Sequence, residues 1–257
     1  MPLTLNVKSI DGTEKRQREA VAHRVVDCLG FCLPNRQLLC FLDDEDWWAL
    51  KEESGIDNRG FYSPVTADDP VWRNAPGYIL EHVFVNRIPA FHDFIYLHGS
   101  SCSSDLGLTM TLAHELQHCL QHDEQTPLWA ANTLIPNLCR ATGNPPGLRW
   151  CDIPLEREAR IVSKRTAEQL FGADRVRVHI DAMIAKRVTV GDAADWECIR
   201  GLATSIPYDL ARETKLFFQS LKDYRSELED VLRDLQSGDP DFADLDLDRL
   251  IMGEALQ

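Results

Sequence analysis

The sequence feature that most constrains this chain is the segment 114–118, which reads HELQH. Residues four apart on an α-helix lie one turn apart on the same side, so His114 and His118 project from one helical face. Nearly opposite them, within an arc of roughly 100°, lie apolar or small residues, namely Leu112, Ala113, Leu116 and Leu120. We therefore expect a helix that buries one side and directs its histidines toward a cleft or solvent.

The residue types of this segment suit metal-assisted hydrolysis. Two imidazoles on one face can share a zinc ion, which lowers the pKa of a water molecule on it toward neutrality. The intervening Glu115 is placed to take the proton of that water as general base. We therefore expect one zinc ion per chain, with His114 and His118 as ligands. The competing interpretation is a solvated helix face that carries histidines by chance.

Two segments compete to supply a third ligand. His122 lies one further turn along the motif helix, about 6 Å beyond His118, and no glycine follows that would let the chain turn back. The run 153–160, IPLEREAR, opens a helix at Pro154 and offers two acids. Glu156 lies about 60° from the centre of that helix's apolar and small stripe, against about 100° for Glu158. Glu156 is thus the predicted ligand and Glu158 the alternative.

A known group shares this pattern. HELQH followed by a helix reading Pro154-x-Glu156-x-x-Ala159 resembles the small gluzincin metallopeptidases, including the ImmA/IrrE-type peptidases. The resemblance covers about residues 90–172 and implies His114, His118 and Glu156 as ligands, Glu115 as base and a zincin-like fold. The chain departs from the ImmA-type pattern at Arg160, where asparagine is usual.

Periodicity predicts a mixed chain. Alternating or short apolar runs indicate strands near 3–8, 37–42, 60–62, 78–86 and 94–97, whereas helical spacing dominates after residue 105. We therefore expect an α+β fold with a small mixed sheet, an HExxH helix and a helix-rich C-terminal half. One domain is predicted over 1–237, with an α/β part over 1–104 and a helical part over 105–237. A solvated acidic tail is predicted over 238–257.

Composition limits the partners. A net charge of −14 argues against nucleic-acid binding, which needs clustered Lys and Arg. The chain holds no apolar run long enough for a membrane span or an export signal. Its eight cysteines are scattered without a CxxC pair, which is typical of reduced thiols in a cytoplasm. We expect a cytoplasmic protein; the pattern leaves its oligomeric state open.

Three functions fit these residues. The first is a zinc metallopeptidase that hydrolyses a peptide bond of a protein or peptide substrate, with Glu115 assisting attack by zinc-bound water. The second is a non-catalytic zincin-like binding or regulatory module, which would have no need of Glu115. The third is a zinc-dependent hydrolase of a small amide.

Overall fold

A computed structural model describes ten stretches of the chain, residues 3–7, 12–30, 38–42, 60–64, 93–97, 103–124, 126–142, 148–186, 190–237 and 242–252. Before residue 103 it contains one helix, α1 (Gly12–Leu29), and four strands of five residues. The strands are β1 (Leu3–Val7), β2 (Leu38–Leu42), β3 (Gly60–Pro64) and β4 (Asp93–Leu97).

From residue 103 onward the described elements are all helical. The α-helices are α2 (Asp105–Glu124), α3 (Thr126–Thr142), α4 (Pro154–Phe171), α5 (Ala173–Lys186), α6 (Val190–Gly201), α7 (Leu210–Ser220), α8 (Arg225–Gln236) and α9 (Leu247–Met252). Short 3₁₀ turns cover Trp150–Asp152 and Lys222–Tyr224. No described helix has the length and apolar character needed to cross a membrane.

The expectation of an α+β fold with a small mixed sheet is wrong. Helix dominates the fold instead: from residue 103 onward the described elements contain no strand, and the strands are confined to four segments of five residues before that point. The four short strands pair in the order β1-β2-β4-β3, with β3 antiparallel to β4 and the other pairs parallel. They hold few of the described residues, whereas globular proteins average about 20–25% strand. Helix packing dominates because the helices extend over many more residues than the strands, each of which is five residues long.

The chain divides into two compact units. The first comprises Met1–Cys119 and Ser163–Val176, and the second comprises Leu120–Val162 and Arg177–Gln257. The predicted single domain over 1–237 stays a prediction, and its division at residue 104 does not coincide with these units. The strand expected at 78–86 lies outside the described residues.

In the first unit, side-chain hydrogen bonds join segments that are distant in sequence. Gln17 Nε2 donates to the Asp105 carboxylate at 3.1 and 3.2 Å, at the first residue of α2. The Ser163 hydroxyl donates to the carbonyl of Met110 at 2.6 Å. This short contact brings α4 close to α2, which a small side chain at position 163 permits. Gly172 ends α4 with a φ of +86°, which glycine adopts without strain.

The second unit is built around an apolar core supplied by α3, the start of α4, α7, α8 and the C-terminal segment. Phe218 and Leu228 are fully buried there. The helical spacing of apolar residues over 209–235 predicts one long helix, but the chain bends at Leu221 and both α7 and α8 pack into the same core. The break lets two amphipathic helices bury their apolar faces.

The C-terminal segment does not behave as a solvated tail over residues 242–252. Phe242, Leu245, Leu247 and Leu250 are all buried and belong to this core. The apolar residues alternate with the acids there, so charge content alone misled the prediction. Asp246 caps α9 by accepting from the backbone N–H groups of Asp248 and Arg249.

Candidate metal site

Helix α2 places the two motif histidines together. The Nε2 atoms of His114 and His118 lie 3.1 Å apart, and their rings meet edge to face. His114 is half-buried, and His118 is 6% exposed. The expectation that both rings face a cleft or solvent therefore understated their burial. Two neutral ring nitrogens at this distance repel unless a proton or a cation lies between them.

Helix α4 supplies the third group. His114, His118 and half-buried Glu156 each offer one ligand atom, and these atoms all lie within 4.8 Å of one another. This group could hold a metal ion. Two ligand nitrogens on a tetrahedral zinc ion, each about 2.1 Å from it, would be about 3.4 Å apart. The observed histidine pair is close to that spacing, so the residues fit a metal, and two imidazoles with a carboxylate suit several divalent transition metals.

Glu115 follows the first histidine and is only 5% exposed. A buried carboxylate is costly unless it is paired or hydrogen-bonded. Its position between the two histidines in sequence is the one that the hydrolytic motif requires.

The alternative ligand Glu158 has a different partner. Its Oε2 accepts a hydrogen bond of 2.8 Å from Gln121 Nε2. His122, which we did not expect to be a ligand, packs its ring edge-on against Trp129 at 5.5 Å between centroids. The described residues thus bring Glu156, and neither Glu158 nor His122, into the group with the two histidines.

Two buried amides hold the first turn of α4. Gln121 is fully buried and also donates to the carbonyl of Leu155 at 3.0 Å. Asn132 is 1% exposed, and its Oδ1 accepts from the backbone N–H of Leu155 at 3.3 Å. That N–H is one of the groups at a helix start that lack a partner within the helix. Both hydrogen bonds are made to the backbone of Leu155, the residue before Glu156. They therefore fix the position of the backbone that carries the Glu156 carboxylate.

Asn132 is anchored in turn. Its Nδ2 donates to the carbonyl of Leu128 and to the hydroxyl of Thr214, both at 2.9 Å. Sequence analysis missed Asn132 altogether. The available signal was an amide within the apolar run of α3, where a polar side chain must find buried partners.

Tyr208, His179 and His98 are side chains of types that can donate a hydrogen bond to an oxyanion. Tyr208 is half-buried, and burial, with the charges of Glu213 and Glu158 adding to it, raises its pKa. His179 instead packs edge-on against Trp196 at 5.9 Å between centroids. His98 and Cys102 lie outside the described residues. Tyr208 is therefore near enough to the first turn of α4 to sense the charge of Glu158.

Comparisons with protein families, with curated proteins and with solved structures find no match to this chain.

Proposed function

We propose that this chain is a zinc-dependent metallopeptidase of the gluzincin type, which hydrolyses a peptide bond in a protein or peptide substrate. The observation that carries the proposal is the group formed by His114, His118 and Glu156, whose ligand atoms lie within 4.8 Å of one another. Three protein ligands of this kind leave a fourth position open, which is typical of catalytic rather than structural zinc sites.

In this proposal zinc supplies a Lewis acid that polarises the scissile carbonyl and lowers the pKa of water. The carboxylate of Glu115 accepts the proton of the attacking water and returns it to the leaving amine nitrogen. Its burial removes competing solvent and strengthens its electrostatic contacts. His114, His118 and Glu156 bind the ion, while Gln121 and Asn132 orient the segment that carries Glu156.

The resemblance to ImmA/IrrE-type peptidases supports a protein or peptide rather than a small amide as substrate. A cytoplasmic location stays a prediction from the scattered cysteines; the cysteines whose side chains the structure describes are free thiols.

The experiment compares full-length wild type, Glu115→Gln and Glu168→Gln after zinc loading, with a library of unstructured peptides read by mass spectrometry. Glu168 is a half-buried acid of α4 that pairs with Lys164 at 4.0 Å, so it is a matched control. We expect Glu115→Gln to keep zinc and lose at least about 100-fold in cleavage rate, and Glu168→Gln to keep both. Zinc-loaded wild type that cleaves no peptide, or an active Glu115→Gln, would favour the non-catalytic module or another base.

A further inference from the structure

Two thiols that do not belong to the group assigned to metal binding meet in the second unit. Cys151 lies in the 3₁₀ turn Trp150–Asp152, and Cys198 lies in α6, which packs against that turn. The thiol of Cys151 is hydrogen-bonded to the side chain of Cys198. Both are free cysteines. The two side chains are therefore neighbours in the folded chain.

The two thiols differ in exposure. Cys151 is 1% exposed, whereas Cys198 is half-buried. A reagent in solution therefore reaches Cys198 first, and Cys151 is placed to attack whatever forms on it. This arrangement of an accessible thiol beside a second, resolving thiol suits the formation of an intramolecular disulfide by exchange.

A fixed cation accompanies the pair. Arg149 donates to both oxygens of Asp152 at 2.7 Å, which holds its guanidinium at the start of the turn. Burial and the hydrogen bond to Cys198 raise the pKa of Cys151 to about 11, and the charge of Asp152 raises it further, while the charge of Arg149 acts more weakly in the opposite direction. Once Cys198 carries glutathione, that hydrogen bond is lost. The pKa of Cys151 then falls, and its thiolate forms more readily.

Metal binding does not explain the pair. Among the residues that the structure describes, the cluster able to hold a metal is the one with His114, His118 and Glu156. Two thiols with no third donor gathered around them favour covalent chemistry between the sulfurs.

We propose that Cys151 and Cys198 form a reversible disulfide by exchange with a low-molecular-weight disulfide such as oxidised glutathione. The thiolate of Cys198 attacks one glutathione sulfur, the glutathione S–S bond breaks, and one glutathione leaves with the proton that Cys198 gave up. The thiolate of Cys151 then attacks the sulfur of Cys198, and the second glutathione leaves as a thiol. Two protein thiols are oxidised, and one glutathione disulfide is reduced to two glutathione molecules.

The test equilibrates the full-length protein with reduced and oxidised glutathione at several ratios, quenches with acid, alkylates free thiols and maps them by peptide mass spectrometry. We expect a peptide pair joined through Cys151 and Cys198, whose fraction rises with the oxidised share and returns to zero with dithiothreitol. Cys139→Ser should leave this bond unchanged, and Cys198→Ser should abolish it.

Three results would overturn the proposal. They are full alkylation of both cysteines at every ratio, a glutathione adduct on Cys198 that never resolves, and a bond from either cysteine to a different partner. Because the readout is the disulfide itself, it does not depend on peptidase activity or metal content.

Discussion

Gln121 lies three residues after His118 on α2 and donates a hydrogen bond to the carbonyl of Leu155, the residue that precedes Glu156. This bond links the helix that carries two of the metal-binding candidates to the start of the helix that carries the third. The same amide nitrogen donates to Glu158 at 2.8 Å. Metal binding and local stability are therefore expected to depend on the same buried side chain.

Replacing Gln121 by methionine keeps the volume and removes the donor. We expect the free energy of unfolding to fall by about 1–3 kcal/mol, because the buried carbonyl of Leu155 and the carboxylate of Glu158 each lose a partner. The variant should also bind zinc more weakly than wild type. Urea denaturation and a zinc titration measure the two effects. Gln219→Met, at an exposed position of α7, is the control and should change neither the free energy of unfolding nor the zinc affinity. A Gln121→Met variant with the stability and zinc affinity of wild type would contradict the positioning role.

Asn132→Ala tests the second contact to Leu155. Asn132 makes bonds to Leu128, Thr214 and Leu155, so its loss leaves several buried groups without partners. We expect a loss of about 2–4 kcal/mol in the free energy of unfolding. Urea denaturation gives this difference in the free energy of unfolding, provided that the two proteins have equal m-values.

The control for Asn132 is Asn137→Ala in the same helix. Asn137 is half-buried and donates to the carbonyl of Thr133 within α3 at 2.9 Å. Its replacement should cost clearly less. Equal losses for the two variants would mean that the contacts of Asn132 outside α3 contribute little.

His179 gives a pH dependence of stability. Burial, and secondarily the charge of Lys186, lowers its pKa below the ordinary value of 6.5. The unfolded chain therefore binds a proton before the folded one as the pH falls below 6.5, so acid favours unfolding, and the slope from one proton is at most about 1.4 kcal/mol per pH unit. Above that pH the residue is neutral in both states. Urea denaturation between pH 7.5 and 5.5 should show a steeper decline for wild type than for His179→Gln; parallel curves would show that the lowered pKa is absent.

The local sequence rules located much of the candidate site. Helical spacing alone relates His114 to His118, and the angle to the apolar stripe distinguishes Glu156 from Glu158 without any long-range information. Contacts such as Asn132 to Leu155 join residues 23 positions apart, so no local period indicates them. They depend on how α3 and α4 pack.

The predicted fold class was wrong for a related reason. Strand signals of a few residues describe local backbone preference, but whether such segments dominate a fold depends on what the rest of the chain packs against. Here the apolar faces of α3, α7 and α8 pack together in one core. The acidic segment 242–252 packs into the same core with Phe242 and Leu250. A count of charges could not reveal the four buried apolar side chains of this segment, Phe242, Leu245, Leu247 and Leu250.

The central claim is that His114, His118 and Glu156 bind one zinc ion. Elemental analysis of the purified, folded protein tests it directly, beside His118→Ala, Glu156→Ala and Glu158→Ala. We predict about one zinc per chain in wild type, lost in His118→Ala and Glu156→Ala and kept in Glu158→Ala. A folded wild type that takes up no zinc when the metal is added, or a protein that keeps its zinc in Glu156→Ala and loses it in Glu158→Ala, would contradict the account.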